Sequence, residues 1–427
     1  MDTLDKLMAL DTQAPGLAAW FSRHQTRIIG HLADYVAIDT TSPNEGRALP
    51  FLKDYLEPLG FHFSEHSLPE TFWTDPERAP ETVSKIDRGG KIHRAHWAGS
   101  SRGRHIIVNI HVDVVPLQRE FALGFTPQIH SDRIVGRGTV DTKGNLIMLV
   151  EALRWLVESG HRPEHSITLD FVFEEEVGGN GALASVLLGS EADCCLVLEP
   201  TNGEIFRGHR GCVSFEAVFS GFARHMGDDV GKERNAIEAA AEAMLCLKKL
   251  EQRLDKEKDR FEAFRQWERA LQINVGEIHG GDWYGSTPRE CRIAGNCGFL
   301  PHQGLAGTQE TLTQFFESLA ADMPNIDVAL NWPALRNESY LDPMEDLFWS
   351  HLAKVKGTST AFRAWNVSCD GRHYARRLDI PTAIFGCGQL SQAHSVDETL
   401  YYSELLEGIS LTAQILTDSL GAKYDCD

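Results

Sequence analysis

The sequence holds no run of about 18 apolar residues, so it offers no helix that could span a membrane. Its nine cysteines include no pair at CxxC spacing, and their number is odd. Both features argue against a disulfide framework or a zinc–thiolate site and point to reduced thiols in the cytoplasm. Any metal must then be held by histidine and carboxylate. The first ten residues (MDTLDKLMAL) lack the basic and apolar segments of a secretory leader, which again suggests a cytoplasmic protein. Basic residues are outnumbered, 41 against 61 acids, for a net charge of -20. That balance argues against nucleic acid or an anionic membrane as partner, since both demand a basic face.

What is present suits a globular chain of two domains: 427 residues, 42% hydrophobic and 24% charged. Apolar residues recur at helical spacing from Ile28 to Val36, and a second helix is expected near 47–57. Residues 74–104, rich in Pro, Gly and charge, read as a hairpin or irregular insertion. The segments HIIVNI (105–110), SITLDFVF (166–173), CCLVL (194–198) and TAIF (382–385) read as strands, the first as one covered on both faces. A helix at 145–159 separates the first two. This alternation predicts a mainly parallel α/β sheet. Near residue 208 the texture changes. VSFEAVFS (213–220) alternates like a half-exposed antiparallel strand, and a long charged helix is expected over 234–272. An α+β insertion results, giving three segments: 1–207 and 336–427 as one domain, 208–335 as the other.

Candidate chemistry collects just beyond the predicted strands, where open α/β sheets place ligands. His111-Val-Asp113 follows the first strand, and alternation puts both side chains on one side, so Asp113 can orient an imidazole that binds metal. Gly136-Arg-Gly138-Thr-Val-Asp141 leads into a helix, leaving Asp141 either a ligand or, with Asn145, a helix cap. Glu174-Glu175-Glu176 follows a buried-type strand and precedes Gly-Gly. Three adjacent carboxylates there need a cation, the alternative being a solvated charge run. Glu199 ends the third strand, and His394 follows the fourth. Two histidines and three carboxylates form a fitting set for two divalent ions, zinc above all.

Five ordered motifs (HVD at 111, GRGTVDTKG around Asp141, FEEEVGG around Glu175, LEPT at Glu199, AHSVDE at His394) resemble those of the M20 metallopeptidases, from about residue 25 onward. The resemblance implies a di-zinc amidohydrolase with an inserted lid and dimerisation domain. His111 and Glu199 would hold one zinc, Glu176 and His394 the other, and Asp141 both, with cobalt or manganese as alternative metals. Asp113 would support the ligands and Glu175 would be the general acid/base; Glu174 stands where the family often has Asp, a change of little consequence for a flanking residue. GFARH (221–225) with Asn235-Ala-Ile is similar to the lid pattern whose histidine, here His225, serves the active site of the partner in a homodimer. SCDGR (368–372) is similar to a segment whose arginine, here Arg372, binds a substrate carboxylate; a surface salt bridge is the other reading. Gly298 stands where many relatives carry Arg, and GHRGCVSF replaces the stretch expected of a desuccinylase. The implied substrate is a small N-acyl amino acid, as for an acetylornithine deacetylase. A dipeptidase or carboxypeptidase acting on small peptides is the alternative, and a catalytically silent relative the remote one.

Overall fold

In a computed structural model, the structure describes residues 14–99, 103–118, 124–227, 234–357 and 362–417. The acidic N-terminal segment considered above lies outside them. Among the described residues, no helix is long and apolar enough to cross a membrane.

The helices are α1 (Leu17–Val36), α2 (Leu49–Leu56), α3 (Lys143–Glu158), α4 (Asn180–Leu188), α5 (Ala236–Asp255), α6 (Gly304–Ala321), α7 (Leu347–Lys356) and α8 (Tyr402–Thr417). The main sheet uses β1 (His62–Ser67), β2 (Lys91–Trp97), β3 (His105–His111), β4 (Ser166–Val172), β5 (Cys194–Leu198) and β6 (Phe206–His209). The insertion supplies β7 (Gly211–Ser220), β8 (Ile273–Gly280), β9 (Glu290–Phe299) and β10 (Asp327–Asn331), and β11 (Thr382–Phe385) returns to the main sheet.

The main sheet runs β1-β2-β4-β3-β5-β11-β6, with short strands beyond β6. Its centre, β4-β3-β5-β11, is parallel. Ile106, Val108 and Ile110 of β3 pack into the cluster with α1, α3 and α8, whereas Ile107 faces Val172, Cys195 and Ala182 of α4 on the other side. Alternation along a doubly covered strand thus produces the continuous apolar run seen in the sequence. Segment 91–97 differs from expectation. It is no insertion but a full strand, paired antiparallel with both β1 and β4.

In the insertion, β8-β9-β7-β10 form an antiparallel sheet. Val213, Phe215, Ala217 and Phe219 of β7 meet Ala239, Ala243 and Leu247 of α5 and Leu312 and Phe316 of α6 in a separate core. Alternation holds only in the second half of β7, because residues 211–215 are all buried. The helix expected over 234–272 is shorter: α5 begins at a capping box of Asn235 and Glu238 and ends at Asp255, before a 3-10 turn and one short helical turn. Between Leu254 and Phe261 the chain carries only charged residues, so no apolar stripe anchors a longer helix. The α/β fold with an α+β insertion is the one the sequence implied.

Candidate metal centre

His111 is the last residue of β3, and its Nε2 lies 2.9 Å from Asp141 Oδ1. Its Nδ1 lies 2.9 Å from the backbone oxygen of Asp113 but 3.7 Å from the carboxylate. The ring is therefore oriented by a carbonyl. The Asp113 carboxylate instead accepts from the backbone N–H of Glu175 (3.2 Å) and Glu176 (3.1 Å), tying the loop after β4 to that after β3. His394 Nε2 stands 3.0 Å from Glu176 Oε2 and 3.3 Å from Asp141 Oδ2. His111, Asp141 and Glu176 can each offer one ligand atom within 4.8 Å of the others. Asp141, Glu175, Glu176, Glu199 and His394 share one cleft of about 410 Å³. The ends of β3, β4, β5 and β11 thus deliver one cluster.

The cluster is short of positive charge. Burial first, then the carboxylates of Asp370 and Glu199, pushes Glu175 well above the usual carboxylate range. Burial and Asp141 do the same to Glu199, and burial and Asp141 also raise Glu176. Burial opposes the charge of Asp141 too, yet its hydrogen bonds to His111 and His394 hold it below the ordinary value. The bond with Asp141, and a second with Glu176, raise His394 to about 10. Buried oxygen and imidazole donors that repel one another unless a cation joins them fit divalent, borderline-hard metals.

Several supports escaped the sequence reading. Neither Asp141 nor Asn145 caps α3, which starts at Lys143 after Thr142. Asn145 donates to the Val140 carbonyl and accepts from Cys387 N–H at 2.7 Å, bracing two motif loops together. Glu398 is fully buried. Its carboxylate accepts from the N–H groups of Gly138, Val140 and Asp141 at 2.8–3.0 Å and pairs with Arg137 at 2.8 Å. Glu174 is no idle flank. With φ of 54°, a strained value for a residue with a side chain, it accepts from Ser84 Oγ (2.8 Å), Asn180 Nδ2 (2.7 Å) and the N–H groups of Lys85 and Ile86. The irregular stretch before β2 is pinned there. Both acids lie within the quoted motifs, AHSVDE and FEEEVGG, but nothing local in sequence announces their partners.

Two expected site residues stand apart. Arg372 is buried, neither a surface salt bridge nor a residue facing the cleft. Its guanidinium donates to the carbonyls of Cys369 (2.6 Å) and Gly178 (2.8 Å), which leaves a substrate carboxylate no approach. It holds the Gly178-Gly179 turn, where Gly179 has φ of 74° and a Cβ would come 2.3 Å from Asp370 Oδ1. His225 lies in a two-residue strand paired with Ser286–Thr287, exposed and outside the cleft of its own chain.

A sheet whose parallel central strands end in histidines and carboxylates gathered in one cleft has the donor set that a metal-dependent hydrolase requires. The profile of peptidase family M20/M25/M40 matches residues 107–418. The chain belongs to that family and is a metal-dependent hydrolase of amide bonds. It is 27% identical over 388 residues to a probable carboxypeptidase of Neosartorya fischeri, covering 88% of this chain and 82% of that one. It is 26% identical over 351 residues to an acetylornithine deacetylase of Erwinia tasmaniensis, covering 81% and 86%. Among solved structures, human carnosine dipeptidase 1 superposes with a TM-score of 0.71 at 14% identity, over 95% and 99% of the chains. The YXEP protein of Bacillus subtilis, described as a dinuclear metal-binding peptidase of family M20, gives 0.61 at 14%, over 93% and 99%.

Proposed function

We propose that this chain is a di-zinc N-deacylase that frees an amino acid from a small N-acyl amino acid, acting as a cytoplasmic homodimer. The observation that carries the reading is the gathering of Glu175 with Asp141, Glu176, Glu199 and His394 in one cleft of about 410 Å³, within the range of small-molecule sites, with His111 bonded to Asp141 at its wall. His111 and Glu199 would hold one cation, Glu176 and His394 the second, and Asp141 both. Such ions, when bound, supply Lewis acidity and bring the ionisation of water toward neutral pH. Cobalt or manganese would serve the same donors.

The chain's own groups then divide the work. Glu175 takes the proton of the attacking water as its oxygen joins the amide carbon, then delivers that proton to the nitrogen as the C–N bond breaks. The products are a carboxylate and a free amine. Asp113, through the amides of Glu175 and Glu176, holds the base in place. His225 of a second copy would donate to the oxygen on which charge develops. Free thiols at the eight described cysteines support a reducing compartment. A dipeptidase or carboxypeptidase is the second reading, favoured by the similarity to the Neosartorya carboxypeptidase.

The test is a panel of N-acetyl, N-formyl and N-succinyl amino acids and dipeptides, assayed with zinc and again after chelation, with Glu175→Gln as control. The N-acyl amino acids should release their acids, chelation should stop turnover, and Glu175→Gln should keep its zinc while kcat falls roughly 10²–10⁴-fold. Cleavage of dipeptides alone would favour the second reading. Near-normal turnover by Glu175→Gln removes that residue as the base.

A further inference from the structure

The cleft has two electrical ends. Asp141, Glu175, Glu176 and Glu199 crowd one part of its wall, and among its lining residues only Arg210 is permanently cationic. Arg210 stands between β6 and β7, at the junction of the two sheets. Its place depends on a glycine. Gly298 of β9 lies opposite Cys212 of β7, and a Cβ there would come 1.6 Å from Arg210 Nη1. Any side chain at 298 would evict the guanidinium. Gly298 therefore matters for the space it vacates, which Arg210 fills from the neighbouring strand.

The guanidinium is anchored but not used up. Its Nε donates to the Asn366 carbonyl, and the Arg210 N–H donates to the Trp365 carbonyl at 3.1 Å. Among the described residues, neither Nη group has a hydrogen-bond partner and no carboxylate lies within ion-pair distance of the side chain. Burial disfavours the charge of this arginine, with no acid close by to compensate. Neighbouring donors point to the same kind of ligand. Asn296 spends its Oδ1 on Ser214 Oγ at 2.7 Å, leaving its amide NH₂ as a donor, and Asn337 and Ser368 line the same wall.

We infer that Arg210, admitted by Gly298, is the specificity-determining residue that clamps the free carboxylate on the amino-acid part of the substrate, the role that buried Arg372 does not fill. A planar fork with its inner nitrogen fixed and its outer pair free suits bidentate capture of a carboxylate. Capture there sets the amide between the cation and the acidic cluster, so the clamp orients as well as binds. The assignment rests on the hydrolytic reading above and names the anionic end of its substrate.

Three ligands separate the possibilities: N-acetyl-L-leucine, its neutral carboxamide, and N-succinyl-L-leucinamide, whose only carboxylate is on the acyl side. Calorimetric affinity and, where there is turnover, kcat and KM are measured on zinc-loaded wild type, Arg210→Gln, Arg210→Lys, and the relocation variant Arg210→Ala/Gly298→Arg. Wild type should prefer N-acetyl-L-leucine to both others. Arg210→Gln should weaken that ligand roughly 100-fold, mostly in KM, and leave the carboxamide unchanged. Arg210→Lys should keep part of the preference, and the relocation variant should restore some of it from the opposite strand. A wild-type preference absent, or undiminished in Arg210→Gln, overturns the assignment. A preference for the succinyl ligand overturns it in favour of an acyl-side clamp. Absence of turnover with the carboxylate preference intact sinks only the hydrolytic reading. Should Arg210→Gln fail to fold, the wild-type ranking and the lysine variant still decide.

Discussion

His209 shows how a single side chain can carry a pH dependence. It lies fully buried, edge-on to Tyr340, with Nδ1 2.7 Å from the Arg210 carbonyl and Nε2 without a partner. Burial, aided by the charge of Arg372, holds its pKa at about 3, against an ordinary 6.5. Between those values the unfolded chain binds the extra proton and the folded one does not. Stability is therefore lost as pH falls from about 6.5 toward 3, with a limiting slope of about 1.4 kcal/mol per pH unit. His209→Asn keeps a donor near Nδ1 but does not titrate. Its metal-free form should lose thermal stability less steeply than wild type on acidification, and parallel curves would assign the slope elsewhere. Residue identity was readable at this scale where a strand end fixed the environment, as for His111 or Glu199. It was not readable for His209 or Arg372, whose burial depends on segments far away in the chain.

The loop from Gly136 to Asp141 owes its shape to a strand pairing between remote segments. Thr399–Tyr401 pairs antiparallel with Arg133–Val135, and the Gly136 N–H bonds the Glu398 carbonyl at 2.9 Å. That pairing sets the Glu398 carboxylate under the N–H groups of Gly138, Val140 and Asp141, in a loop where Gly138 adopts φ of 86°. Glu398→Gln puts an amide donor against these N–H donors and removes the charge facing Arg137. A loss of about 3 kcal/mol in urea unfolding is expected. Zinc affinity should fall with it, because Asp141 loses the acceptor of its own N–H. Unchanged stability and zinc affinity would mean that the loop holds itself. Strand positions were legible from apolar runs, and the HVD, FEEEVGG and AHSVDE motifs from strand ends. The extent of α5 and the strand at 91–97 were not, since one needed the absence of a core to lean on and the other a partner strand.

Across the whole molecule, the insertion presents Phe222, Met226, Trp283 and Tyr284, each at least 60% exposed, close in sequence to His225 or to its partner strand Ser286–Thr287. Apolar surface of this kind supports a protein interface, and the proposed role of His225 requires one. Mixing His225→Ala with Glu175→Gln chains should recover activity that neither has alone. Random exchange makes half of the dimers mixed, each with one intact site of two, so roughly a quarter of wild-type activity is expected. No recovery after verified exchange would confine each site to a single chain.

The sequence by itself marked the candidate ligands His111, Glu176 and Glu199, because a buried parallel strand ends where its apolar run ends and presents its next polar residues at the sheet edge. It likewise determined the α/β core and the inserted α+β unit, through alternation and helical spacing. Only the tertiary structure decided which arginine faces the cleft. Arg372 sits in a motif yet turns inward to two carbonyls, while Arg210, in a stretch the sequence marked only as a departure from the desuccinylase pattern, enters space left by a glycine some ninety residues later. Such choices depend on which atoms meet across the sheets, and no periodicity along the chain records that.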